Sequence, residues 1–267
     1  ALYAKQAGDY RTAKQSLSKA ARIGTRIGDE HMTFYALTVL ATTLQELGQT
    51  TEAALTLERA MKVNPASDKP CAQTDALTNY AWTLLLKQER GDTLTKSDDD
   101  PIDVQTHALT LFRARCSNSP KAEASMLINL ALANLHQSQN DEAQAYLNQL
   151  DAMKSPLSKE YQLWRFDLLA RIAMNTGAPS DALQLYESMS RLAQREGNAA
   201  GQWRAQVGRA QSLSSLGHHD RADAAWEKAT ALLYERSLFV PLHAGRNTFL
   251  AQWEPLQQQH VGSLLQR

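Results

Sequence analysis

TFYALTVLATTLQELGQTTEAALTLERAMKVNP, residues Thr33–Pro65, decides the fold. Leu37, Leu40, Ala41 and Leu44 recur at helical spacing until Gly48 interrupts the run. A second run then places Ala53, Leu57 and Ala60 on one face and stops at Pro65. Two amphipathic runs divided by a glycine and closed by a proline predict a helix–turn–helix hairpin. Ala41 and Ala53 sit where the two helices would cross, and close crossing needs small side chains.

The same spacing recurs outward from this stretch. Alanines equivalent to Ala41 stand at Ala1, Ala81, Ala131, Ala170 and Ala210, at successive spacings of 40, 40, 50, 39 and 40 residues. Twelve residues beyond five of the six come Ala13, Ala53, Ala143, Ala182 and Ala222. The turn glycine returns as Gly8, Gly48, Gly177 and Gly217, with Ser138 at the matching place in the fourth copy. A turn between antiparallel helices needs a residue that tolerates positive φ, which glycine does at no steric cost.

On Ala41, Gly48, Ala53, Leu57, Ala60 and Pro65, the hairpin resembles a tetratricopeptide (TPR) repeat. The period near 40 exceeds that family's usual length of about 34, so helices longer by about a turn and a half are expected. The resemblance implies an all-α, right-handed superhelix, an α-solenoid of antiparallel hairpins. The hairpins are placed at about 1–28, 33–65, 75–116, 121–151, 158–190 and 202–233 of one domain covering 1–267. The third copy holds an insertion, GDTLTKSDDDP, whose turn-forming and acidic residues predict a solvated loop. Asp100 followed by Pro101 predicts an N-cap and first helical residue. After Leu233 the pattern changes, and a helix at about 243–266 is expected to cap the last apolar face. Ala1 already occupies a crossing position, so a longer natural chain with a flanking domain is expected.

Composition narrows the function. Lys plus Arg and Asp plus Glu are both 28 in 267 residues, a net charge of zero. Such a chain has no general pull toward nucleic acid or an anionic membrane. No apolar run approaches the roughly 20 residues of a membrane span, and no signal peptide is visible. A cytoplasmic location is expected. Alternating β-branched runs are absent. The sequence lacks GxSxG, GxxxxGK[ST], HExxH and CxxC, so no catalytic residue, cofactor or metal is assigned. The Asp98–Asp100 cluster lacks the alternating carboxylates, glycine and glutamate of a calcium loop. His218, His219 and Asp220 lie together in a turn, where adjacent side chains diverge; exposed turn polars are expected there. Trp82, Trp164, Trp203, Trp226 and Trp253 fall at phases that mostly predict packing between hairpins.

Cys71 precedes the first helix of the third copy and Cys116 ends its second. An antiparallel hairpin makes those ends adjacent, which permits a disulfide. Two cysteines in a chain of this length fit a reducing compartment better, so free thiols are expected and the bridge is the alternative.

In the family, first helices line a concave groove. The matching positions are Tyr35, Thr38 and Thr42 in the second copy, and Thr78, Trp82 and Leu85 in the third. They are Ile128, Leu132 and Leu135 in the fourth, Trp164 and Arg171 in the fifth, and Arg204 and Gln211 in the sixth. Large apolar residues on exposed surface often mark a binding site, with burial by packing as the alternative. The family's Lys, Asn and Arg carboxylate clamp is not evident. A weaker resemblance joins Arg246, Phe249–Leu250, Trp253, Leu256, Val261 and Leu264–Leu265 to the segment linking a TPR array to a CHAT (caspase-like) peptidase.

The resemblances together imply a non-catalytic scaffold that binds a protein or peptide, an interaction module of a larger bacterial regulatory protein. Direct contact with nucleic acid or membrane is not expected. The sensor arm of a CHAT peptidase and the arm of a transcriptional regulator are the alternatives.

Overall fold

The computed structural model describes residues 1–6, 9–63, 70–89, 99–116, 119–238, 258 and 260–262. Among them there is no strand, and twelve helices follow in order: α1 (Leu2–Gln6), α2 (Tyr10–Ile27), α3 (Glu30–Glu46), α4 (Thr50–Lys62), α5 (Pro70–Glu89), α6 (Pro101–Arg115), α7 (Pro120–His136), α8 (Asn140–Asp151), α9 (Lys159–Asn175), α10 (Pro179–Arg195), α11 (Ala199–Ser215) and α12 (His219–Leu238). The fold is all-α and built from consecutive helix hairpins. The chain falls into two compact units, one through Ser119 and one from Pro120.

In the first unit α3 packs on α4 and α5 on α6, with α2 against α3 and α4 against α5. In the second, α7 packs on α8, α9 on α10 and α11 on α12, while α9 also meets α7 and α11. Alanine holds the crossings. Ala41, Ala81, Ala131, Ala170 and Ala210 each have 0% exposed surface, as do Ala13, Ala53, Ala143, Ala182 and Ala222. Ala1 alone of the ladder is exposed.

The turns repeat one geometry. Gly48, Gly177 and Gly217 adopt φ of 75°, 77° and 75°, and Ser138 takes the same left-handed conformation at 60°. At each turn an N–H one residue further on returns to a carbonyl five residues back: Gln49 to Leu44, Gln139 to Asn134, Ala178 to Ala173, His218 to Leu213, all at 2.8–2.9 Å. This bond satisfies the carbonyls that a helix end leaves orphaned. Helix starts are capped by side chains: Asp29 accepts from Met32 N–H at 2.8 Å, Asp100 from Ile102 N–H at 2.8 Å and Asn198 from Gly201 N–H at 2.7 Å. Pro101 follows its cap at the first turn of α6.

Cys71 and Cys116 are bridged, with Cα atoms 5.5 Å apart. The expectation of two free thiols is therefore corrected. The antiparallel pairing of α5 and α6 brings the start of one beside the end of the other. That local geometry outweighs the argument from cysteine count.

Most of the insertion 91–101 and most of the expected cap 243–266 lie outside the described residues. Within the latter, residues 260–262 are helical, and His260 stacks on Trp226 of α12 with ring centroids 5.2 Å apart. Among the described residues no group of three or more His, Cys, Asp or Glu could hold a metal. His218 and His219 are exposed at the start of α12.

Candidate binding surfaces

The expected groove positions separate into three kinds. Leu85, Ile128, Leu132 and Leu135 are core: none is more than 8% exposed, and Leu85 and Leu132 are at 0%. Helix α7 is buried on every side from Met126 to Leu135, so its apolar residues are taken up in packing and offer a partner no surface. For these four the exposed apolar stripe is corrected to core. Trp82 belongs to the first unit, and Ile128 and Leu132 to the second.

The threonines are half-buried and already engaged. Thr38 donates to the Phe34 carbonyl at 3.0 Å and Thr78 to that of Thr74 at 2.8 Å, each bonding back one helical turn. Thr42 donates to the Val39 carbonyl and accepts from the Lys5 ammonium at 2.9 Å. Tyr35 stands out at 51% exposure, and Trp82 is half-buried.

In the second unit two of the expected positions meet. The Arg204 guanidinium lies over the Trp164 ring, 3.6 Å from its centroid. A delocalised cation over an indole face is attracted by the ring quadrupole. Arg171 reaches the buried Asp167 carboxylate at 3.5 Å on the next turn of α9. Ser212 of α11 approaches the Met174 sulfur at 3.5 Å, joining the same pair of helices. Gln211 is half-buried on α11. First helices α9 and α11 thus share a face on which an aromatic ring and two guanidiniums are held.

The family profile of the tetratricopeptide repeat matches residues 34–67, the hairpin on which the alanine and glycine pattern is clearest. Residues 34–67 are thus similar to a tetratricopeptide repeat. Among solved structures, BtubC (BKLC) from P. vanneervenii is similar at a TM-score of 0.57 and 15% identity, covering 85% of this chain and 90% of its own. A structure of nearly identical TPR-like repeats from Podosopora anserina is similar at 0.51 and 18% identity, covering 76% of this chain and 95% of its own. At such identities the likeness is one of fold. Among curated proteins none matches the sequence.

The TPR-like hairpins of the second unit also form two clefts that the sequence pattern did not single out. One, of about 520 Å³, lies between α9 and α10 and is lined by Lys159, Arg191 and Arg195 with Gln162, Phe166 and Leu192 among its other walls. The other, of about 280 Å³, lies between α11 and α12 and is lined by Arg209, Arg221 and Lys228 with Gln206, Leu213 and Ala225. The signal was present in the sequence, since Arg191 and Arg195 fall at i, i+4 near the end of a second helix. It reads there as an ordinary solvated face, and only the packing of the two helices makes it concave.

Proposed function

We propose that the chain is a non-catalytic scaffold that binds a protein or peptide, serving as an interaction module of a larger regulatory protein. The observation that carries this reading is the pairing of Arg204 with Trp164 across two first helices of a TPR-like array. Such a face presents a rigid aromatic and a charge on rigid elements, the residue types that anchor interfaces. The TPR match and fold support it, since a hairpin array offers extended surface built from many equivalent positions.

The test is peptide selection from a displayed random library against the purified chain, followed by affinity measurement on Trp164→Ala, Arg204→Ala and Trp82→Ala. Selected peptides should lose about tenfold or more in affinity on at least one inner-face variant whose helical signal and melting are unchanged. If no peptide rises above background, or if every loss of binding accompanies early melting, the scaffold reading fails.

The bridge between Cys71 and Cys116 favours a second reading of location. Disulfides persist in oxidising compartments and are rare in the cytosol. We infer an oxidising compartment as this second reading, beside the expected cytoplasmic one. No helix among the described residues is long and apolar enough to cross a membrane.

A further inference from the structure

The two clefts of the second unit lie away from the face that carries Trp164 and Arg204. With 3.6 residues per turn, Lys159, Gln162 and Phe166 sit about half a turn around α9 from Trp164. Gln206, Arg209 and Leu213 sit in the same relation to Arg204 on α11. The clefts correspond at two positions: Gln206 stands 40 residues after Phe166, and Lys228 stands 40 after Ser188. Only those two positions align, and no cation falls on a cation, so these are two separate basic clefts on successive hairpins.

Their chemistry is one-sided. Three cations line each cleft and no carboxylate lines either. Carboxylates occur on the same helices, Glu187 and Glu227 among them, but outside both linings. In each cleft an arginine is held by a neutral acceptor three residues back. Arg191 donates to the Ser188 hydroxyl at 3.0 Å and Arg209 to the Gln206 amide oxygen at 2.9 Å. These bonds orient a guanidinium without neutralising it. An oriented guanidinium is suited to receive a carboxylate through two parallel hydrogen bonds, and its ordering cost is already met.

We propose that these clefts dock an acidic peptide segment of a protein partner, its carboxylates on the cleft cations and an apolar side chain against the half-buried Phe166. Charge complementarity selects the occupant. The chain carries 28 basic and 28 acidic side chains, so the positive clefts arise by local segregation and not from overall excess. A net charge of zero gives no long-range pull on a polyanion or an anionic membrane, while within a Debye length the cleft cations act on an acidic segment. Half-buried Phe166 gives the first cleft an apolar wall, which suits a peptide that mixes acidic with apolar residues. This rests on the protein-binding reading above but assigns a different face.

The test uses fluorescence anisotropy with the purified chain and a labelled peptide of repeated Glu-Glu-Leu, beside its Gln-Gln-Leu counterpart. The acidic peptide should bind at least about tenfold more tightly than the neutral one, and weaken as ionic strength rises. Arg191→Glu with Arg195→Glu should abolish the preference while the helical signal and melting hold. Arg191→Gln with Arg195→Gln keeps the test open if charge reversal unfolds the protein. Lys121→Gln, which removes an exposed cation of the second unit outside both clefts, should bind the acidic peptide like the parent. Equal binding of the two peptides, or an acidic preference that survives the cleft variants, overturns the proposal. Loss of that preference in Trp164→Ala moves acidic recognition to the inner face, overturning the proposal while preserving the scaffold reading. Tighter binding of inorganic polyphosphate or of phosphatidylserine vesicles than of the peptide overturns it in favour of those ligands.

Discussion

The ring of Tyr186 on α10 lies against the bare backbone of Gly208 on α11. A Cβ placed on Gly208 would fall far inside van der Waals contact with three ring carbons, so the ring or the helix would have to move. Tyr186 is 3% exposed and belongs to a core cluster with Met189, Leu192 and Ala205, which leaves the ring little room.

Gly208→Ala should therefore destabilise the protein. Alanine favours a helix interior over glycine by about 1 kcal/mol, but overpacking a filled core costs about 1–3 kcal/mol. The steric term is expected to win. A lower urea midpoint at unchanged slope would show it. Adding Tyr186→Leu should make the double variant less costly than the sum of the two single changes, because the clash needs both partners. A Gly208→Ala protein as stable as its parent would mean that α10 and α11 shift apart at no cost.

Ser138 gives the opposite sign. It holds φ at 60° in a turn whose counterparts are Gly48, Gly177 and Gly217. A side chain in the left-handed region costs about 1 kcal/mol or more, which glycine avoids. Ser138→Gly is expected to raise stability by about 0.5–1 kcal/mol. Gly177→Ala is expected to lower it by about 1 kcal/mol, since no atom lies near its missing Cβ and only backbone strain acts. Thermal melting of the two variants side by side checks both signs, and a stabilised Gly177→Ala would contradict the account.

The alanine ladder and the turn glycines were legible in the sequence because both answer to local sterics. A crossing admits only a small side chain and a tight turn only a tolerant backbone, so the period shows through. The fate of Leu132 or Ile128 was not legible in that way. Helix phase says which face a residue is on, but what covers that face depends on elements far along the chain. Cys71 and Cys116 illustrate a different limit. Their adjacency followed from hairpin topology, while their number argued for a reducing compartment, and composition was the weaker witness. The cation clefts were missed because Arg191 and Lys228 lie on second helices, where a lone charge reads as solvated surface.

Tyr80 should make the folded state sensitive to alkali. It is 2% exposed and donates to Glu58 at 3.3 Å. Burial raises its pKa well above the ordinary tyrosine value, and the charges of Asp99 and Glu58 push the same way. Below about pH 10 both folded and unfolded chains keep the proton. Above it the unfolded chain loses the proton first, so stability declines as pH rises toward the folded pKa. Chemical denaturation on either side of pH 10 should show that decline, and Tyr80→Phe should lessen it. An identical alkaline loss in the variant would assign the effect to other groups.

The bridge between Cys71 and Cys116 should be the largest single contribution that can be removed by reagent. It closes a loop with a sequence separation of 45, for which chain entropy predicts a stabilisation of up to about 4 kcal/mol. Cys116 is 3% exposed, whereas Cys71 is exposed at the start of α5, so a reductant approaches from the Cys71 side. Reduction is expected to lower the melting temperature by several degrees. The Cys71→Ser variant should melt where the reduced parent melts and should no longer respond to reductant. Both follow from one cause, the return of loop entropy to the unfolded chain. If the parent melts alike with and without reductant, α5 and α6 are held together by their packing alone. If Cys71→Ser still responds to reductant, the effect does not come from this bridge.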